Sequence, residues 1–337
     1  MSKAKLKFGL WYSLRNPDAW HRPDTEIYNE TLDQIAWAET IGYDDVWLTE
    51  HHFCEDAHAP SILTLAAAVA VRTKKIRIGT AVLLLPLHDA VRVAEDGATI
   101  DILSNGRFEL GVGIGYRPQE FDGLGFKRAD RAGRMNEGLE IIRRLWDGET
   151  VDFDGQHYQI TGAKLSPMPV QQPRPPIWVG GFAPASAKRA ARLADGFIGT
   201  GDISAFVPIY NEERERLGKS GPGQLAGGHF WLIVSNDPEK TFSQVAPYIM
   251  YQLQMYNVWL AEAGQTLFPQ ANTEQQLRES GMLQVLTPQQ AVDQIGAYVE
   301  ATGIERYYTW TVPPGMPAAE MNEYLELFAT DVMPHFR

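Results

Sequence analysis

The stretch Asp45-Val46-Trp47-Leu48-Thr49-Glu50-His51-His52-Phe53 decides how this chain is read. Four residues of strand-forming character run straight into an acid and two adjacent histidines. A short strand that hands reactive side chains to the loop after it is the usual arrangement of parallel α/β proteins. The same unit recurs on both sides. Upstream, residues 5–10 read as a strand and 26–41 as a helix. Leu32, Ile35, Ala36, Trp37 and Ile41 fall on or near one helical face there, and Gly42 stands where a C-cap belongs. Downstream, residues 60–72, 91–103 and 131–146 read as helices, and 76–83 and 107–112 as strands. Residues 177–179, 196–199, 230–235 and 306–312 supply four more strands. Strands alternating with helices in this way imply right-handed crossovers between parallel strands. Eight such units predict an α/β fold of the closed (β/α)8 TIM-barrel type, with insertions, as one domain over residues 1–337.

Two stretches interrupt the rhythm. Residues 151–176 are rich in Pro, Gly and Gln and read as an excursion with a hairpin around Asp154-Gly155. Residues 256–286 are polar and long for a turn, and read either as a lid or as a disordered insertion.

Composition narrows the function. With 30 basic and 42 acidic residues, the net charge is −12, which argues against nucleic acid or an anionic membrane surface as partner. Cys54 is the single cysteine, so no internal disulfide can form. The apolar runs are too short to span a bilayer. The expected location is the cytoplasm.

Three places carry candidate chemistry. Glu50-His51-His52 follows the second strand, where paired histidines could bind a metal, relay a proton or hydrogen-bond a reactive intermediate. No H-x-x-x-H pattern accompanies them, and His58 and His88 read as scattered, so no metal site is expected. Gly111-Val112-Gly113-Ile114-Gly115 ends the fourth strand. It lacks the following helix of a dinucleotide turn, and its glycines suit a flat ring lying against the backbone or tight packing at the barrel mouth. Val179-Gly180-Gly181-Phe182-Ala183-Pro184-Ala185-Ser186 opens a helix whose free N–H groups would suit a phosphate, with Ser186 adding a hydroxyl or merely capping the helix.

These stretches, in order over about 300 residues, resemble the bacterial luciferase-like flavin oxidoreductases. Lys7-Phe8-Gly9, Val46 to Phe53, Gly79-Thr80-Ala81-Val82, Ala94-Glu95-Asp96 and Ser104-Asn105-Gly106-Arg107-Phe108 carry the likeness. Thr287-Pro288 and Asp331-Val332-Met333-Pro334 extend it towards the end. The resemblance implies a barrel, commonly a homodimer, with reduced FMN at its mouth and a separate flavin reductase supplying it. It implies reaction with O2, while the aromatic residues near the strand ends and the lid candidate at 256–286 suggest a small, moderately hydrophobic organic substrate. His51 would be the essential polar group and His52 its supporting neighbour. Cofactor contacts would come from Glu50, a non-proline cis peptide at Ala81–Val82, and Gly113, Gly115 and Tyr116. The phosphate turn would be Gly181, Phe182, Ala183 and Ser186. Ile114 replaces the arginine that the luciferase α chain uses for phosphate, with Arg117 as a substitute, and Gly113 replaces its cysteine. Trp11, Phe53 and Trp310 would wall the substrate pocket. The wider family also holds enzymes that use the deazaflavin F420 for hydride transfer without oxygen, and non-catalytic partner subunits lacking the histidine.

Overall fold

A computed structural model describes residues 5–219, 221 and 223–337. The strands are β1 (Lys7–Tyr12), β2 (Asp45–Leu48), β3 (Arg77–Thr80), β4 (Phe108–Val112), β5 (Thr150–Asp154) and β6 (Gln159–Lys164). They continue as β7 (Ile177–Gly180), β8 (Gly196–Ile198), β9 (Gln224–Gly227), β10 (Trp231–Val234), β11 (Leu283–Leu286) and β12 (Arg306–Trp310). Eight of them close a parallel barrel in the order β1-β12-β9-β8-β7-β4-β3-β2. The barrel expected from the alternation is therefore present, ringed by helices such as Asp24–Ile41, Ile62–Arg72, Ala90–Ser104 and Arg131–Trp146.

Large rings fill the barrel interior, and glycines on neighbouring strands make room for them. Trp47 and Trp178 meet edge to face at 6.0 Å between ring centroids. A Cβ on Gly79 would strike the Trp47 ring, and one on Gly196 would strike that of Trp178. Below them, at the N-terminal ends of the strands, lies a buried ionic floor. Arg306 donates to Asp45 at 2.7 Å and pairs with Glu109 at 2.9 Å, and Arg77 pairs with Glu109 as well. Glu109 in turn accepts from the Trp178 indole at 2.6 Å. This floor closes the lower end, leaving the C-terminal mouth for chemistry.

The seventh barrel strand differs from the sequence expectation. The apolar run at 230–235 pairs as β10 with β11 in a separate two-stranded parallel sheet, and the barrel position goes to Gln224–Gly227. Close approach explains the exchange. A Cβ on Gly228, just beyond β9, would overlap the backbone of Tyr308 on the adjacent β12, so that position demands a residue without a side chain. Hydrophobicity marked the better strand former, while steric fit selected the barrel member.

The excursion at 151–176 begins with the expected hairpin, β5 against β6, closed by the Gly155 N–H donating to the Tyr158 carbonyl at 3.0 Å. Glu137 accepts from the backbone N–H groups of Gln156, His157 and Tyr158, pinning the hairpin tip to the helix Arg131–Trp146. The stretch 256–286 is folded, and its beginning differs from the expectation. Tyr256 lies inside a long helix, Pro238–Glu262, followed by the helix Glu274–Ser280 and β11. Among the described residues no helix is long and apolar enough to cross a membrane.

Candidate active site

The mouth is built on the loop after β2. Beyond Leu48 the chain runs out of the sheet, and Glu50 and His51 are buried while His52 is partly so. His51 Nδ1 stands 2.7 Å from Glu120 Oε1, and the His52 backbone N–H donates to the same oxygen at 3.0 Å. Glu120 is fully buried on the short helix Pro118–Gly123, directly after β4. An ionised carboxylate only accepts, so the proton of a neutral His51 sits on Nδ1 and leaves Nε2 as the free ring nitrogen. The rings of Trp259, His58, Tyr116 and Tyr256 surround it at 5.0, 4.9, 5.6 and 6.0 Å between centroids. Two of these, Tyr256 and Trp259, come from the long helix Pro238–Glu262.

His52 belongs to a second arrangement. Its Nε2 lies 2.8 Å from Glu50 Oε1, and His88 Nε2 lies 2.6 Å from the same atom. The other oxygen, Oε2, accepts from the Leu84 N–H at 2.5 Å. Burial pushes the Glu50 carboxyl up, but His88 and His52 outweigh it and hold the group at about 2. Burial alone would lower His88, and Glu50 raises it past its ordinary value. His88 and His58, read from the sequence as scattered, are thus both part of the site. Glu50, His52 and His88 form a donor set that could hold a metal ion, with ligand atoms all within 4.8 Å of one another. Their spacing is that of a carboxylate bridging two imidazoles by hydrogen bonds.

The Ala81–Val82 peptide is cis, as the resemblance implied. The Trp11 indole donates to the Ala81 carbonyl at 3.0 Å, and Trp11 stacks on Trp310 at 4.0 Å, so both expected wall residues meet at the mouth. The glycines at the strand ends show the tight packing that was one of their two expected uses. A Cβ on Gly113 or Gly180 would come within 2.5 or 2.7 Å of Val82, so they seat this side chain. Val82 itself remains partly exposed, an apolar platform beside the cis peptide.

At the turn expected to take a phosphate, Gly181 has φ 150° and lies beside Ser186, where any Cβ would overlap the Ser186 hydroxyl. The helix Pro184–Leu193 starts there with Ala183 as N-cap and no side-chain cap, so Ser186 does not cap it. Phe182 is half exposed. Gly115 adopts φ 70°, turning the chain after β4 towards Tyr116, whose hydroxyl is buried and without a partner among the described residues.

Two expected roles are corrected. Arg117 points towards His51 and not towards the turn at Gly181. Its guanidinium donates to the His52 carbonyl at 2.8 Å and lies 4.3 Å from the Trp259 ring, on the His51 side of the site. Phe53 is 58% exposed, with φ 55° turning it outward against the helix holding Gly123, so it walls no pocket. Sequence reasoning missed Glu120, Arg15, Asp56 and Trp259. Glu120 had one signal, an acid three residues after Arg117 in a strand-end loop. The others had none: Arg15 and Asp56 pair at 2.5 Å from the loops after β1 and β2, and Trp259 arrives on the long helix.

The sequence matches the luciferase-like monooxygenase family over residues 6–306. The chain belongs to that family. It is 31% identical over 326 residues to an F420-dependent glucose-6-phosphate dehydrogenase of Amycolatopsis mediterranei, covering 91% of this chain and 94% of the relative. It is 25% identical over 334 residues to the oxygenase component of the flavin-dependent trigonelline monooxygenase of Acinetobacter baylyi, covering 92% and 90%. The fold is similar to that of the monooxygenase RslO1 of Streptomyces bottropensis, with TM-score 0.85, 24% identity, and 98% and 100% coverage. As a luciferase-like protein the chain is an oxidoreductase that uses a flavin-type cofactor, FMN or F420. The residues present fit such a group. The platform at Val82, the uncapped helix start at Pro184 and the unpartnered Tyr116 hydroxyl offer an apolar surface, an anion seat and a polar contact.

Proposed function

We propose that this chain is a flavin-dependent monooxygenase that uses reduced FMN and O2 to oxidise a moderately hydrophobic organic substrate, supplied with electrons by a separate flavin reductase. When bound, reduced FMN supplies the electrons that activate oxygen. The observation that carries the reading is His51, fixed through Nδ1 by Glu120 at 2.7 Å and offering Nε2 to a mouth walled by aromatic rings. Nε2 holds or moves a proton at the reacting oxygen, Glu120 sets the tautomer, and the rings exclude water from the site. The turn at Gly181 and the helix start at Pro184 take the phosphate. The relative named as an oxygenase component supports a two-component arrangement. Exposed Val71, Ile102 and Leu103, on the neighbouring helices Ile62–Arg72 and Ala90–Ser104, support pairing as a homodimer.

A second reading, hydride transfer with F420, is favoured by the 31% identity to the glucose-6-phosphate dehydrogenase. Anaerobic titration with reduced FMN and with reduced F420, then admission of oxygen, separates the readings. The expected result is preferential FMN binding and oxygen uptake. Tight F420 binding without oxygen uptake moves the chain to hydride transfer.

A further inference from the structure

Native proteins leave few buried polar atoms without a partner, so a cluster of them calls for an explanation. Arg15 Nη1 and Nη2, Asp56 Oδ1, His58 Nδ1, Tyr116 OH, Arg117 Nε and Glu120 Oε2 are all buried and unpartnered among the described residues. They belong to six residues drawn together around His51 from three different strand-end loops. The two guanidinium carbons lie 5.1 and 4.3 Å from the centroid of one ring, Trp259, so Arg15 and Arg117 share an indole. Both arginines are more than nine-tenths buried. Arg15 donates through Nε to Asp56 at 2.5 Å, which leaves its Nη groups without an aligned acceptor.

The residues whose open atoms can only donate are the two arginines, because a guanidinium neither accepts nor loses its charge. An occupant facing the two guanidinium groups must bring oxygen acceptors, and a planar fork matches a carboxylate best, while the open Asp56 Oδ1 and Glu120 Oε2 call for donors of their own. A phosphate dianion fits less well. Asp56 and Glu120 already offset the two cations, so a monoanion adds one uncompensated charge where a dianion would add two. From Trp259 an aromatic strip leads away: Tyr256 at 5.3 Å, then Phe230 at 6.3 Å, then Trp310 at 6.3 Å between centroids. We propose that the substrate is an organic carboxylate whose acid group is held by Arg15 and Arg117 and whose apolar body lies along Tyr256, Phe230 and Trp310. The assignment rests on reading this mouth as the substrate site and deepens that reading.

Calorimetric titration of the full chain, alone and with oxidised FMN, tests it. The probes are benzoate, phenylacetate and cinnamate, each beside its own amide, and inorganic phosphate. At least one acid should bind about tenfold or more tightly than its amide. Arg117→Gln should abolish that preference. Tyr116→Phe, which removes only an unpartnered hydroxyl, should reduce it severalfold with no loss of thermal midpoint. Tyr116→Phe also guards the test against misfolding of the arginine variant. Equal binding of every acid and its amide overturns the proposal, as does binding of phosphate more tightly than all three acids. None of these readouts consumes oxygen or depends on reduced cofactor. A failure here is thus distinct from a failure of the monooxygenase reading.

Discussion

His51 Nδ1 and Glu120 Oε1 are 69 positions apart in the chain and 2.7 Å apart in the fold. One residue leaves β2 and the other comes after β4, so the contact spans β3 and its cis peptide between them. The same carboxylate oxygen accepts from the His52 N–H, which fixes the carboxylate before it fixes the ring. Such a pair sets which nitrogen is free to act.

Removing that positioning should separate turnover from binding. Glu120→Ala is expected to lower the rate of substrate oxidation about a hundredfold, the usual size of a general acid–base contribution. The dissociation constant for the cofactor should stay within about twofold, because Glu120 touches the histidine and not the cofactor platform at Val82. Glu120→Asp should recover part of the rate and shift its pH profile. His51→Ala should match the loss, and the double variant should lose no more than either single one. Additive losses in steady-state kinetics would show that the two residues act independently.

The seat for Val82 gives a second expectation. Gly113 and Gly180 each stand where a Cβ would come within 2.7 Å of a Val82 methyl. Gly113→Ala should displace Val82 and the platform it forms, raising the cofactor dissociation constant about tenfold while costing about 1–3 kcal/mol of stability. Val82→Ala in the same background should restore room and recover binding. If Gly113→Ala binds cofactor like the parent chain, the platform is not where the cofactor rests.

The Glu50–His88 pair should show itself in the pH dependence of stability. Glu50 is held near 2 in the fold against an ordinary value of 4.5, so its contribution is full above 4.5 and is lost as pH falls towards 2. His88 is raised above its ordinary 6.5, so its contribution is full below 6.5 and is lost as pH rises through the raised value. The two together make the pair most stabilising between those ordinary values. Urea midpoints of the parent chain and Glu50→Gln, measured from about pH 3 to 8, should differ most in that window and converge on both sides. A constant difference would mean that the carboxylate acts by shape alone.

How much of this was legible beforehand depends on which features a sequence encodes locally. Strand–helix alternation exposed the barrel, because every unit repeats the same burial pattern, and Glu50-His51-His52 was visible as polar residues abruptly ending an apolar strand. The exchange of 230–235 for Gln224–Gly227 was hidden. The choice turns on the fit of Gly228 against Tyr308, a contact between segments 80 residues apart. The sequence places Arg117 beside the mouth without giving its direction, and that direction, towards His52 and Trp259, is set by tertiary contacts. Trp259 belongs to a helix whose course beside the mouth no local pattern reports. Local periodicity reveals elements, and the assembly of a site from four loops and one long helix lies beyond it.

Cys54 provides the last expectation. It lies two residues beyond His52 and is partly buried, its Sγ donating to the His52 carbonyl at 3.5 Å and accepting from Arg117 at 3.0 Å. Burial pushes its thiol up to about 12, outweighing the nearby Arg117 charge. The thiolate is the nucleophile, so almost none is present near neutral pH in the folded chain. Alkylation by N-ethylmaleimide at about pH 8 should therefore run about a thousandfold slower in the native protein than in denaturant. The slow phase should report opening of the mouth, because Arg117, which bonds the sulfur and lies over Trp259, must move before the sulfur is released. Cofactor binding that closes the mouth should slow it again, and Tyr116→Phe should leave it unchanged. Complete labelling of the native chain within minutes, with or without cofactor, would mean that the wall between Cys54 and His51 opens freely and that the site is not a dry compartment.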